Sequence, residues 1–406
     1  MRIVVAAAGS RGDAVPFGAL AARLQEAGHR VRLLTHESLR DLVADGVPTI
    51  GVASDPAQLL TGPAAAALRR GDLRGLNRTR GEFAAFLAAF HDPAQRELAG
   101  AGLLIASTMA IAAVDAALER GVPVIRAHLW PENTALTGPM PLLPYGWRIP
   151  APLRRGMRAG LRRVEPYLAG FDGGWVRGRL RLRPHHRAGL TTHTHGTMFA
   201  LSPLLLGAEP VGGYATGWWT GPPEGGLSAA TVDLLSRPGT WLHIGFGSMP
   251  QTLPEQVLEL VSAAARRVGV RAVVQLPGAE GLDDGTVCGI GTEPHAALFD
   301  RVALSVHHGG SGTTGVAVGA GIASVVVPHL ADQFWWGHRL QALGLAPPLL
   351  PRPLLSPDRL ARRIEVALRA AVRRRCAEIG ERVRAEDGTG AAVRFVECAV
   401  ADGGRR

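Results

Sequence analysis

The stretch of this chain richest in chemistry is Val306-His307-His308-Gly309-Gly310-Ser311-Gly312-Thr313-Thr314. It lies between a short β-rich run, Leu304–His307, and a segment of helical spacing, Thr313–Ala320. Glycines allow a backbone to approach a ligand closely. Ser311, Thr313 and Thr314 belong to the residue types that cap a helix or offer hydroxyls. A helix start presents unpaired N–H groups and a partial positive charge, which suits a phosphate. His307 and His308 add donors to such a site. An ordinary capped glycine turn is the competing reading.

A second loop follows about twenty residues later, where the strand Ser324–Pro328 runs into His329-Leu330-Ala331-Asp332-Gln333. A carboxylate accepts and a carboxamide both donates and accepts, so Asp332 and Gln333 suit neighbouring hydroxyls of a sugar. Both loops end consecutive strands, which would make a phosphate site and a sugar site neighbours. At the other end of the chain, Gly9-Ser10-Arg11-Gly12-Asp13 is a turn between the strand Ile3–Ala8 and a helix over Pro16–Ala27. Asp13 is the candidate general base. An unperturbed Asp titrates near 3.9, low for a base. Burial against an apolar substrate would raise that value, and the nearby helix start opposes the rise. A helix-capping aspartate is the alternative. His128, near the end of another strand (Ile125-Arg126-Ala127-His128-Leu129-Trp130-Pro131), is a lesser candidate.

The elements that must position these groups alternate strand with helix. Leu103–Ser107, Val122–Arg126, Trp241–Gly245 and Ala272–Gln275 read as strands, and Ala112–Glu119 and Pro254–Val268 as helices. The pattern restarts after Thr216–Gly226, which is rich in Gly and Pro. We therefore expect an α/β chain with a first domain over 1-215, a linker over 216-226, a second domain over 227-390 and a tail over 391-406 that frays. Ligands in such doubly wound sheets bind beyond the carboxyl ends of the strands.

The block from His307 to about Gly337 resembles the donor-binding motif of the family 1 glycosyltransferases, closest to the bacterial antibiotic and sterol branch with its HHGG(S/A)GTT…P…ADQ pattern. The Gly9–Pro16 stretch and the turn Ile244-Gly245-Phe246-Gly247-Ser248-Met249 resemble the same branch, so the likeness spans nearly the whole chain. The resemblance implies a GT-B fold, two Rossmann-like domains facing across a cleft. It implies that His307, His308 and Gly309, Gly310, Ser311, Gly312 and Thr313 hold a donor diphosphate, with Ser248 on a phosphate. Glu293-Pro294-His295 resembles the loop beside the nucleobase, and Gln275 would line the base or ribose. Asp332 and Gln333 would hold the transferred sugar. Many relatives carry His where this chain has Asp13, and the loop Asp332-Gln333-Phe334-Trp335-Trp336-Gly337 is bulkier than in many of them. The implied activity is inverting transfer of a hexose or deoxyhexose from a UDP- or dTDP-sugar onto a hydrophobic natural-product, sterol or lipid-like acceptor. His128, Trp130 and Met140 are the acceptor-lining candidates.

Composition bounds the rest. The 406 residues suffice for two or three domains of about 100–200 residues. No apolar run reaches the roughly 18 residues of a membrane span. Cys288, Cys376 and Cys398 are odd in number and far apart, which points to neither a disulfide framework nor a zinc motif and fits a reducing cytoplasm. The net charge of +10 comes without any lysine, which excludes a Walker A lysine and a lysine Schiff base. No nucleic-acid-binding motif accompanies the charge. No Asp-x-Asp pair occurs, so no metal and no cofactor is expected, the nucleotide sugar being a substrate. His185, His186, His193 and His195 form a weak metal candidate without a completing ligand. The basic segment 152–165 is a candidate for peripheral contact with an anionic membrane. Competing functions are a Rossmann oxidoreductase, which Gly9–Gly12 fits poorly, a catalytically silent GT-B partner protein, and a nucleotide-sugar epimerase on the same fold.

Overall fold

The computed structural model describes residues 1–57, 62–63, 73–131, 153, 194–206, 213–221, 225–247, 254–329 and 332–403. The chain divides into two compact units, Met1–Pro222 with Asp387–Arg406, and Pro223–Glu386.

The first unit is built on seven parallel strands: β1 (Arg2–Ala7), β2 (Arg30–His36), β3 (Thr49–Val52), β4 (Leu103–Ala106), β5 (Val124–His128), β6 (Thr194–Phe199) and β7 (Tyr214–Ala215), in the order β3-β2-β1-β4-β5-β6-β7. Its helices are α1 (Arg11–Glu26), α2 (Leu73–Ala88), α3 (His91–Glu97), α4 (Ile111–Glu119) and α5 (Pro203–Leu206). Strand β1 shows why both faces are covered. Ile3, Val5 and Ala7 pack with Phe17, Leu20 and Leu24 of α1, whereas Val4, Ala6 and Ala8 pack with Phe90, Leu98 and Val114 on the other side. A strand buried on both faces must be apolar there, and this one is from Ile3 onward.

The second unit holds α6 (Ala229–Ser236), β8 (Trp241–Gly245), α7 (Pro254–Val268), β9 (Arg271–Gln275), β10 (Val287–Gly289), α8 (His295–Phe299), β11 (Leu304–His307), α9 (Ser311–Gly319), β12 (Ala323–Val326), α10 (Gln333–Ala342), α11 (Pro357–Ala367) and α12 (Ala370–Arg384). Its five strands are parallel, in the order β10-β9-β8-β11-β12. In each sheet the order reverses beside the first strand, and the crevice at that reversal is where doubly wound sheets bind ligands.

Three expectations change. Helix α1 begins at Arg11, ahead of Pro16, because Ser10 and Asp13 form a capping box that satisfies its first turn. Within the described residues the tail does not fray: residues Gly388–Gly403 form helix α13, with Ala392, Val393 and Val396 in the same core as Phe17, and the ring of Phe395 stacked on Tyr214 at 5.7 Å. The first half of the expected linker also joins that core. Trp219 packs edge-on to Phe17 at 5.3 Å and donates its indole N–H to Thr216 Oγ1 at 2.9 Å. Among the described residues no helix is long and apolar enough to cross a membrane. The basic segment 152–165 lies outside the described residues apart from the exposed Leu153.

Candidate functional site

Strands β8, β11 and β12 end level, because His307 is in register with both Gly245 and Val326. Their following loops therefore emerge side by side. The ring of His307 is fully buried and its Nδ1 accepts the N–H of Gly309 at 3.1 Å. A backbone N–H can only donate, so Nδ1 is the unprotonated nitrogen and Nε2 carries the hydrogen. That Nε2–H is buried and has no partner among the described residues. The His308 ring lies between Gly247 and Gly310, where a Cβ would come within 3.2 and 2.5 Å of it. His308 Nδ1 and Thr314 Oγ1 are likewise buried without partners.

Helix α9 starts here with Gly310 as its N-cap and no side-chain cap. The N–H groups of Ser311, Gly312 and Thr313 precede the first intrahelical bond, Thr314 N–H to Gly310 O. Burial holds His307 at about 3 and, with His295 nearby, His308 at about 4. Both rings are neutral near pH 7, so the positive field comes from the helix start and the rings serve as hydrogen-bonding groups. Orphaned donors beside an uncapped helix start make this a suitable cradle for an anion.

Gly309 joins this loop to the next one. Its φ of +87° is the left-handed region, and a Cβ there would lie 3.0 Å from the carbonyl oxygen of Gln333 and 2.7 Å from Val326. Gln333 is buried, and its Oε1 accepts the N–H of His329 at 2.7 Å. Its acceptor thus holds the loop's own backbone, which the sequence reading did not foresee. Burial pushes the Asp332 carboxyl up to about 7, against hydrogen bonds that favour its charged form. Asp332 can therefore donate as well as accept near neutrality, where the sequence suggested an acceptor only.

Gln275 ends β9, with Nε2 donating to the Glu293 carbonyl at 3.3 Å and Oε1 buried without a partner among the described residues. The Glu293 carboxylate is an internal anchor, accepting from Ser228 N–H at 3.1 Å and from the hydroxyls of Ser228 and Thr231. Burial opposes its charge, but those bonds prevail and hold it below the usual carboxylate range. The His295 ring stacks on Phe299 at 5.1 Å and meets the ring of buried His243 at 5.4 Å. His243, which the sequence reading missed, bonds Ser305 Oγ through Nδ1 at 2.9 Å. Its mid-strand position in β8 gave no signal separating it from core residues. Ser248 lies outside the described residues.

The second sheet's carboxyl end thus gathers Gln275, His295, His307 to Thr313, Asp332 and Gln333. Asp13 and His128 lie at the carboxyl end of the first sheet. Asp13 Oδ2 accepts the N–H of Ser10 at 2.8 Å, the carboxylate half of the capping box. His128 is buried, with Nδ1 2.8 Å from Thr108 Oγ1. Trp130 is half-buried, and Met140 lies outside the described residues. Of the histidine cluster only His195 is described, on β6, and among the described residues no group of three His, Cys, Asp or Glu could hold a metal ion.

Residues 3–125 match the glycosyltransferase family 28 N-terminal domain, and residues 263–389 match the erythromycin biosynthesis protein CIII-like C-terminal domain. The chain is 28% identical to a sterol 3-beta-glucosyltransferase of Arabidopsis thaliana, over 97% of this chain and 67% of that protein. It spans only about a third of the sterol 3-beta-glucosyltransferases of Kluyveromyces lactis and Komagataella phaffii (33% and 34%). It is 29% identical to the O-mycaminosyltylonolide 6-deoxyallosyltransferase of Streptomyces fradiae, over 98% of this chain and 97% of that protein. With the vancomycin aglycone glucosyltransferase of Amycolatopsis orientalis it shares 28% identity over 98% of both chains. The solved structure of a calicheamicin glycosyltransferase superposes with a TM-score of 0.69 at 18% identity, covering 99% of this chain and 98% of that one.

Proposed function

Because the chain belongs to the family 1, GT-B glycosyltransferases, we propose that it transfers a hexose or deoxyhexose from a UDP- or dTDP-sugar to a hydroxyl of a hydrophobic acceptor, with inversion. The observation that carries the donor half is the buried, unpartnered Nε2–H of His307 beside the uncapped start of α9. The diphosphate binds there, its charge met by the first N–H groups of the helix and by neutral imidazole donors. Asp332 and Gln333 hold the sugar, and Gln275 and His295 the nucleoside.

In the reaction the acceptor oxygen attacks the anomeric carbon as the bond to the diphosphate oxygen breaks. The acceptor's proton passes to Asp13, and the nucleoside diphosphate departs with the bonding electrons. One displacement inverts the centre. Asp13 already holds Ser10 N–H, and it takes the proton late, once the forming bond has made the hydroxyl acidic. A carboxylate has about four lone-pair sites, so the cap and the proton do not compete for one. The acceptor class rests on the relatives, whose names give a sterol, O-mycaminosyltylonolide and vancomycin aglycone. Cysteines unpaired in any disulfide and a nucleotide-sugar donor support work in the cytoplasm.

Calorimetry of UDP and dTDP against the wild type and His307→Ala, without added metal, tests this reading. Loss of one such bond should weaken the preferred nucleotide roughly 10–100-fold. If neither nucleotide binds the wild type at millimolar concentration, the donor assignment fails.

A further inference from the structure

We propose that His36 and Ser107 are positioning residues for Asp13, clamping Ala8 and Gly9, just past the first strand, from the ends of the two neighbouring strands. Strand β1 lies between β2 and β4; β2 ends in His36 and β4 is followed at once by Ser107, two polar residues with almost no exposure (0% and 1%). Neither is needed to fill the core, where an apolar side chain costs less to bury. Both are spent on the backbone that leads into the Asp13 turn. The Ser107 hydroxyl accepts the N–H of Ala8 at 3.0 Å and donates to the Ala8 carbonyl at 3.1 Å. His36 Nε2 accepts the N–H of Gly9 at 3.0 Å.

The His36 ring has one workable state. Gly9 N–H can only donate, so Nε2 is the unprotonated nitrogen and the hydrogen sits on Nδ1. Nδ1 lies 2.8 Å from Ser54 Oγ and 3.1 Å from Ser54 O, which take that hydrogen. Phe86 stacks on the ring at 4.8 Å and Phe90 meets it edge-on at 5.0 Å, so it cannot swing away. Gly9 then passes the constraint on. Its φ of +145° and its missing Cβ, which would lie 2.1 Å from Asp13 Oδ2, let that carboxylate fold over it onto Ser10 N–H. A displacement of Gly9 must therefore displace the Asp13 carboxylate.

That this matters to the reaction rests on the reading of Asp13 as the base, and the two claims are tested separately. His36→Phe keeps a ring between Phe86 and Phe90 but removes the acceptor for Gly9 N–H. His36→Gln returns an acceptor. The readouts at constant pH are the carbon-13 carboxyl resonance of Asp13, assigned by its loss in Asp13→Asn, and the Ser10 amide resonance. Both should move in His36→Phe and return toward wild type in His36→Gln, with UDP or dTDP affinity within about twofold throughout. Ser107→Ala, a smaller change, should move both if His36→Phe does not fold. Resonances unmoved in the folded variants, or unmoved in Ser107→Ala alone, overturn the clamp. Turnover retained by Asp13→Asn would instead sink the base and leave the clamp standing.

Discussion

Gly309 and Gln333 touch where no side chain could stand between them: a Cβ on Gly309 would lie 3.0 Å from the Gln333 carbonyl oxygen. The loop that follows β11 and the start of α10 at Asp332–Gln333 are thus one packed unit. Gly309→Ala must strain a left-handed backbone and push the two loops apart. We expect a stability loss of about 1–3 kcal/mol and nucleotide affinity at least about tenfold weaker, read by thermal unfolding and calorimetry. Unchanged affinity would mean that the loops are not coupled.

Asp332 links stability to pH. Its carboxyl titrates near 7 in the folded chain against about 3.9 when unfolded. The folded state therefore keeps the proton longer, so this contribution is complete below about pH 4 and is lost as pH rises through about 7. Asp332→Asn, which cannot ionise, should match the wild type near pH 4 and melt at a higher temperature at pH 8. The same variant should transfer sugar roughly 10–100-fold more slowly, if a charge-assisted bond to a hydroxyl is lost. Melting curves at the two pH values decide the first point, and a melting difference that does not grow with pH would refute it.

The C-terminal helix should behave as part of the first unit's core. Val396 is fully buried on it. Val396→Ala removes two carbons and should cost roughly 1.5–2.5 kcal/mol, measured by denaturant unfolding. Deleting residues 387–406 should lower the melting temperature of the first unit. A truncated chain as stable as the full one would return the tail to the frayed state expected from its sequence.

How much of this was legible beforehand follows from the range of each interaction. Strands such as Ile3–Ala8 and Trp241–Gly245 were readable because a fully buried parallel strand is apolar on both faces. His307, Asp332 and Gln333 were readable because glycine, hydroxyl, imidazole and carboxylate types stand close together at strand ends. The docking of α13 was not, since its partners Phe17 and Trp219 are far away in sequence. Nor were the roles of His36, Ser107 and His243, single polar residues among apolar ones.

The sequence by itself therefore determined the two α/β repeats, the family and the residue types at the candidate loops after β11 and β12, because these depend on local periodicity and contiguous motifs. Only the tertiary structure decided which nitrogen of His307 carries its hydrogen, that Gln333 turns its oxygen inward, that Asp332 is pushed up to about 7, and that Asp13 is held in a capping box behind His36. Burial and hydrogen-bond partners set protonation and orientation, and both come from residues that only folding brings together.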